Sequence, residues 1–220
     1  MRTIRIGGRL ITLNQFQSTE YLTKCQSYLT SYFNSPVLLT PSCTSALELT
    51  ALALNLKQDD EIILPSYTFP STANAYALRG CKLVFCDIRE DTLNLNEDLL
   101  EQLITPKTKA IVPVHYGGVG CEMFSILEIA DKYNIAVVED NAHGLFGEYL
   151  DTPLGTWGDL SCLSFHSTKN YPAGEGGAIV INNEELLQRI EIAREKGTSR
   201  QRFLRGEIDK YSLLIVTGKR

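Results

Sequence analysis

Apolar residues arrive in short bursts along this chain, and the bursts predict its architecture. From Pro36 onward they fall at residues 37–40, 61–65, 82–88, 109–115 and 135–140. Two more open at Ser161 (Cys162, Leu163, Phe165) and at Ala178 (178–181). Brief runs of this kind, bounded by turn-forming residues, read as buried strands. Between them lie longer segments with apolar residues at helical spacing: 45–54, 71–79, 96–104, 121–133 and 184–195. Strands that alternate with helices predict an α/β domain, here a mostly parallel seven-stranded sheet with helices on both faces. All seven strands fit into the 145 residues from Val37 to Ile181, with no repeat and no linker between them. Ahead of the sheet, residues 1–35 form a separate segment. Tyr21, Leu22, Cys25, Leu29, Tyr32 and Phe33 mark one amphipathic helix over 19–33 in it, and 1–17 shows no clear pattern.

In an open parallel sheet, ligands bind beyond the carboxyl ends of the strands. The residues just after each apolar run are therefore the candidates for chemistry. After the first run, Ser42, Thr44 and Ser45 surround a predicted helix start, which suits a phosphate and equally suits an ordinary N-cap. After the second comes Ser66-Tyr67-Thr68-Phe69, whose rings can stack on a flat ligand or pack in the core. After the fourth comes His115-Tyr116-Gly117-Gly118, where the glycines allow close approach and the histidine reads as structural. No GxGxxG spacing is present, which disfavours a dinucleotide site. After the fifth run, Glu139-Asp140 places carboxylates at the end of a buried strand, costly unless they meet a cation. Asp140 reads either as an N-cap or as the partner of a protonated ring nitrogen, with His143 beside the same ring. After the sixth, Lys169 leaves an apolar strand between Ser164, His166 and Thr168 and a glycine-rich turn at 174–177. A lysine so placed is either a solvated loop residue or an amine desolvated enough to react with a carbonyl.

Together these candidates suit one ligand. Pyridoxal 5'-phosphate requires a phosphate cup, an aromatic face, a carboxylate for its ring nitrogen and a lysine for its aldehyde. Thr44 and Ser45, Phe69, Asp140, and Ser164 with Lys169 offer these in chain order.

Composition narrows the partners. A formal charge of −5 over 220 residues argues against nucleic acid or an anionic membrane surface. No apolar run reaches membrane-spanning length, and the first residues lack the apolar core of a signal peptide. The six cysteines show no zinc spacing and several lie in apolar runs, so buried, reduced thiols in a cytoplasmic protein are expected.

Three stretches, VVEDNAHG (137–144), SFHSTKN (164–170) and GEGGAIV (174–180), resemble the DegT/DnrJ/EryC1/StrS sugar-nucleotide aminotransferases, which have the fold type I architecture. LLTPSCTSALE (38–48), LPSYTFPSTANAYALRG (64–80), PVHYGGVGCEM (113–123) and REKGTSRQRFLRGEIDKY (194–211) extend the likeness over roughly residues 20–211. The resemblance implies a cofactor-binding large domain at 36–211, a divergent tail at 212–220, and a small carboxy-terminal domain absent from this chain. It implies that Lys169 and Asp140 are catalytic. Lys169 would carry the cofactor and move a proton, while Asp140 would keep the ring nitrogen protonated. Thr44, Ser45 and Ser164 would bind phosphate, Phe69 would stack on the ring, and His143 would lie near its phenolic oxygen. The implied reaction moves an amino group from glutamate to the 4-keto carbon of a dTDP-4-dehydro-6-deoxy sugar. The family lysine is present here rather than the histidine of the dehydratase branch, which favours transamination. Family membership further implies a homodimer at full length. The competing expectation is a non-catalytic remnant that keeps part of the cofactor site. Arg194, Lys196, Arg200, Arg202 and Arg205 read either as a solvated face balanced by Glu191, Glu195 and Glu207 or as a diphosphate or subunit contact.

Overall fold

The computed structural model describes residues 20–210 in full, together with the backbone of residues 3–6 and 9–12. Thr3–Ile6 (β1) and Arg9–Thr12 (β2) pair as an antiparallel hairpin in a stretch whose sequence has no clear period. The tail at 212–220 lies outside the described residues.

Seven strands form the central sheet: Val37–Thr40 (β3), Glu61–Pro65 (β4), Lys82–Cys86 (β5), Thr108–Ile111 (β6), Ala136–Asn141 (β7), and, beyond a small hairpin, Leu160–Ser164 (β10) and Gly177–Ile181 (β11). Their order across the sheet is β3-β11-β10-β7-β6-β4-β5. β10, β7, β6, β4 and β5 run parallel, while β11 lies antiparallel to both β10 and β3. Six strands therefore share one direction, and the sheet is mixed but mostly parallel, as the burst pattern predicts. The fifth and sixth bursts give strands close to their predicted ends. In the 109–115 burst the regular strand ends at Ile111, but the Val112 N–H still donates to the Ile63 carbonyl (2.8 Å) and Val114 makes an isolated parallel bridge to Asp140.

Helices cover both faces. Cys43–Ala53 (α2), Pro70–Ala77 (α3) and Leu187–Arg194 (α6) pack on one face around Leu47, Tyr76 and Ile190. Glu20–Phe33 (α1), the short Leu100–Leu103 (α4) and Met123–Tyr133 (α5) cover the other, using Leu29 and Phe33, Leu100, and Met123 and Ile126. A last short helix, Arg200–Leu204 (α7), follows α6.

The period-two rule of strands divides the core. Ile62 and Leu64 enter the α2–α3 layer while Ile63 between them enters the α5 layer. On β7, Val138 faces α2 and α3, and Val137 faces α5. The same alternation, carried two residues on, sends Glu139 and Asp140 to opposite faces. β10 and β11 are buried at every position, as expected of central strands covered on both sides.

The remaining strands, Glu148–Tyr149 (β8) and Thr152–Pro153 (β9), make a minimal hairpin. Its two turn residues, Leu150 and Asp151, both have positive φ (49° and 57°), the turn type that best fits the twist of paired strands. Among the described residues no helix is long and apolar enough to cross a membrane.

Candidate active site

The carboxyl ends of β3, β4, β6, β7 and β10 and the amino end of β11 meet at one edge of the sheet. A cleft of about 460 Å³ opens there, within the size range of small-molecule sites. Thr44, Phe69, Asp140, His143, Ser164 and Lys169 line it. Ser45, the seventh residue singled out from the sequence, lies one position further into α2. Its N–H donates to the Oγ of the N-cap residue Ser42 (3.1 Å). Ser42 and Thr44 face the cleft instead, beside the exposed N–H groups of the helix start.

Two glycine-dependent contacts shape this edge. Gly177 opens β11 against the backbone that enters α2. A Cβ there would lie 2.4 Å from the Ser42 carbonyl carbon and 2.5 Å from the Cys43 nitrogen. Only glycine lets the strand and the helix start approach this closely. Gly118, at φ 86°, sits against the His143 carbonyl and brings the turn after β6 onto the loop after β7.

Asp140 is 4% exposed. One carboxylate oxygen accepts from Thr72 Oγ1 (2.7 Å) and the other from the Ala142 N–H (3.2 Å). Burial pushes its carboxyl above the usual carboxylate range, and these two hydrogen bonds, with His143 and Lys169 nearby, pull the other way. It does not cap a helix; β7 runs through Asn141.

His143 is half-buried. Its Nδ1 accepts the Gly117 N–H (3.2 Å), and its ring stands edge-on to Tyr116 at 5.3 Å between centroids. Burial first, and the Lys169 charge second, lower its pKa, so the ring is neutral near pH 7 with its proton on Nε2.

Lys169 lies in the turn that follows β10, its N–H bonded to the His166 carbonyl (2.9 Å). Its side chain is half-buried on the cleft wall, and no ion pair engages it among the described residues. Phe69 sits at the mouth, 70% exposed, immediately before α3.

Glu139 is satisfied chiefly by backbone N–H donors. It is fully buried. Its oxygens accept from the backbone N–H groups of Gly155 (2.7 Å), Trp157 (2.9 Å) and Gly158 (2.8 Å), and contact His115 Nε2 (2.9 Å). The Cys121 N–H points at His115 Nδ1 (3.2 Å), which leaves that atom an acceptor and puts the ring proton on Nε2, toward Glu139. The pair is structural, as the sequence reading of His115 anticipates.

The sequence reading missed Thr72 and Tyr116, which complete the surroundings of Asp140 and His143. Thr72 lies in the first turn of a helix read only from its apolar spacing, so nothing local distinguishes it. All six cysteines are unpaired; four are buried, Cys43 is half-buried on the cleft wall, and Cys25, against expectation, is exposed. Of the basic cluster, Arg205 pairs with Glu191 (2.6 Å), Arg202 with Glu207 (3.1 Å), and Arg194 Nε donates to the Leu39 carbonyl (2.9 Å). These are the contacts of a self-compensated face.

Residues 11–213 match the DegT/DnrJ/EryC1/StrS aminotransferase family. The chain belongs to that family. The spore coat polysaccharide biosynthesis protein SpsC of Bacillus subtilis is 42% identical over 159 residues, 72% of this chain and 41% of SpsC. The crystal structure of NtdA from Bacillus subtilis with bound cofactor PMP superposes with a TM-score of 0.74 at 36% identity, over 80% of this chain and 40% of NtdA. A structure of DesI in the presence of its TDP-sugar product gives a TM-score of 0.73 at 34% identity, over 77% and 43% of the two chains. The mostly parallel seven-stranded sheet is thus the fold type I sheet of the sugar aminotransferases. The chain spans about two fifths of the length of these relatives.

Proposed function

We propose that this chain binds pyridoxal 5'-phosphate in the cleft and belongs to an aminotransferase acting on a nucleotide sugar. The supporting observation is that one cleft wall holds an amine, Lys169, with no ion pair among the described residues, while a buried carboxylate, Asp140, lies on the same cleft. A buried carboxylate with only two protein hydrogen bonds suits a cationic N–H partner, and a helix start with Ser42 and Thr44 beside it suits a phosphate. The residues present therefore fit the group.

When bound, the cofactor supplies a ring that withdraws electrons from the carbon next to the transferred nitrogen. Lys169 Nζ is the group that would hold the cofactor through its aldehyde, and its amine, once released by the donor, would be the base placed to move the donor-carbon proton. Asp140 keeps the ring nitrogen protonated. Ser164 would donate its hydroxyl to the phosphate and Thr44 its first-turn backbone N–H, the Thr44 hydroxyl proton being given to Ser71 Oγ (2.8 Å), with Ser45 behind them stabilising the helix start. Phe69 would cover one face of the ring. His143, neutral and protonated on Nε2, would offer that proton to the phenolic oxygen.

For the substrates we infer glutamate as amino donor and the 4-keto carbon of a dTDP-4-dehydro-6-deoxy sugar as acceptor, giving a dTDP-4-amino-4,6-dideoxygalactose-type product. The motif likeness over 38–48, 64–80 and 194–211 supports this, as does the TDP-sugar in DesI. We further infer a homodimer as the full-length assembly, working in the cytoplasm, from the family resemblance.

Borohydride treatment of the protein with pyridoxal phosphate, followed by peptide mass spectrometry, should place one adduct on Lys169. Adding glutamate first should bleach the visible absorbance and prevent the adduct. An adduct that glutamate does not prevent would leave a cofactor-holding chain without turnover. Absence of any adduct at Lys169 would sink the reading.

A further inference from the structure

The first turn of α3 carries more of the site than its sequence suggests. Thr72 Oγ1 lies 2.7 Å from Asp140 Oδ2, and Thr68 Oγ1 lies 2.7 Å from Thr72 Oγ1. An ionised carboxylate has no proton to give, so Thr72 donates to Asp140. A hydroxyl has a single proton, so the Thr68–Thr72 contact must be donated by Thr68. The direction Thr68 to Thr72 to Asp140 is thereby determined. Thr72 is fully buried, so water cannot substitute for either partner. The same turn is anchored at two more points: the Thr72 N–H donates to the Phe69 carbonyl (3.1 Å), and Ser71 Oγ accepts from Thr44 Oγ1 (2.8 Å).

We propose that Thr68 and Thr72 are positioning residues, a directed pair of hydroxyls that orients the Asp140 carboxylate and holds it ionised to receive the ring nitrogen of the cofactor. The inference rests on the cofactor reading above and adds two residues to it. Its logic is electrostatic. Burial favours the neutral acid, and hydrogen bonds donated to the anion favour the charged form. The titratable groups that face Asp140 are Lys169 after β10, His143 on its own loop, Cys43 on α2, Cys162 on β10 and Tyr76 on α3. Of these only Lys169 and His143 can bring positive charge, and His143 is neutral near pH 7. The hydroxyl pair acts without depending on either.

The test uses the full chain with 13C-labelled aspartate and no cofactor. The Asp140 side-chain carboxyl signal is assigned by its loss in Asp140→Asn and followed against pH. Thr72→Val, which keeps the shape and removes the hydroxyl, should move the titration to higher pH. Thr72→Ser should restore the wild-type midpoint, and Thr68→Val should shift it in the same direction by less. Pyridoxal phosphate affinity should fall about tenfold in Thr72→Val and stay near wild type in Thr72→Ser. An Asp140 midpoint unchanged in both valine variants overturns the proposal, and so does a Thr72→Ser protein that titrates like Thr72→Val. Should Thr72→Val fail to fold, Thr68→Val and Thr72→Ser decide alone. A wild-type chain that takes no cofactor at Lys169 removes the cofactor reading, while the carboxyl titration still decides the hydroxyl pair.

Discussion

Two adjacent carboxylates on β7 are both buried, yet their surroundings differ. Glu139, pointing to the α5 side, is saturated: three backbone N–H groups and a histidine converge on it. Asp140, pointing to the α3 side, has two hydrogen-bond donors and an open cleft beside it. The first arrangement stitches the 155–158 loop to the sheet. The second leaves capacity for a ligand and accepts a cost in stability for it. Burial alone therefore does not mark a functional acid; the number of donors already committed to it does.

The contrast breaks or sharpens with mutation, and the largest effect concerns the cleft itself. Lys169→Ala should abolish the borohydride-trapped adduct completely while leaving thermal stability within about 0.5 kcal/mol, since exposed or half-exposed polar side chains contribute little. On the saturated side, Glu139→Gln places an amide N–H₂ against a backbone N–H and should cost roughly 3 kcal/mol in urea unfolding. A cost below about 1 kcal/mol would mean that the loop does not depend on that acid. Gly177→Ala should cost about 2 kcal/mol, and should weaken phosphate-group binding as well, because the strand cannot retreat from the α2 start without moving it.

Asp140→Asn should show the opposite sign in stability. The folded protein holds the Asp140 proton more tightly than the unfolded chain, because burial raises its pKa. Its ionised form therefore subtracts stability above the folded pKa, and that penalty fades as pH falls through it. Asp140→Asn should be as stable as wild type or more so at neutral pH, with the difference shrinking on acidification, while cofactor affinity drops. Urea melts at several pH values check both the sign and the window. The smallest effect belongs to the surface: Arg205→Ala, which breaks the pair with Glu191, should cost about 0.5 kcal/mol and vanish in high salt.

Much of this molecule was legible along its length, because a sheet covered on both faces writes itself as apolar bursts. The cost of burying a polar group makes that pattern hard to break, so β4, β7, β10 and β11 fall where the bursts predict. That the candidate residues after each burst would gather at one cleft was legible too, since strand ends in a parallel sheet share one edge. The β8–β9 hairpin was not, because its turn residues, Leu150 and Asp151, reach positive φ without glycine or asparagine to announce it. The β1–β2 hairpin has no period to read. Inward placement of Ser45 and the unforeseen part of Thr72 have another cause. Which side of a helix start faces a cleft, and which hydroxyl meets which carboxylate 68 residues away, depends on helix rotation against the sheet. That rotation is set by packing against Leu47, Tyr76 and their neighbours, a property of the assembled layers that no local stretch carries. Sequence determined which groups reach the edge of the sheet; tertiary packing decided which of two neighbouring acids was left with room for a ligand.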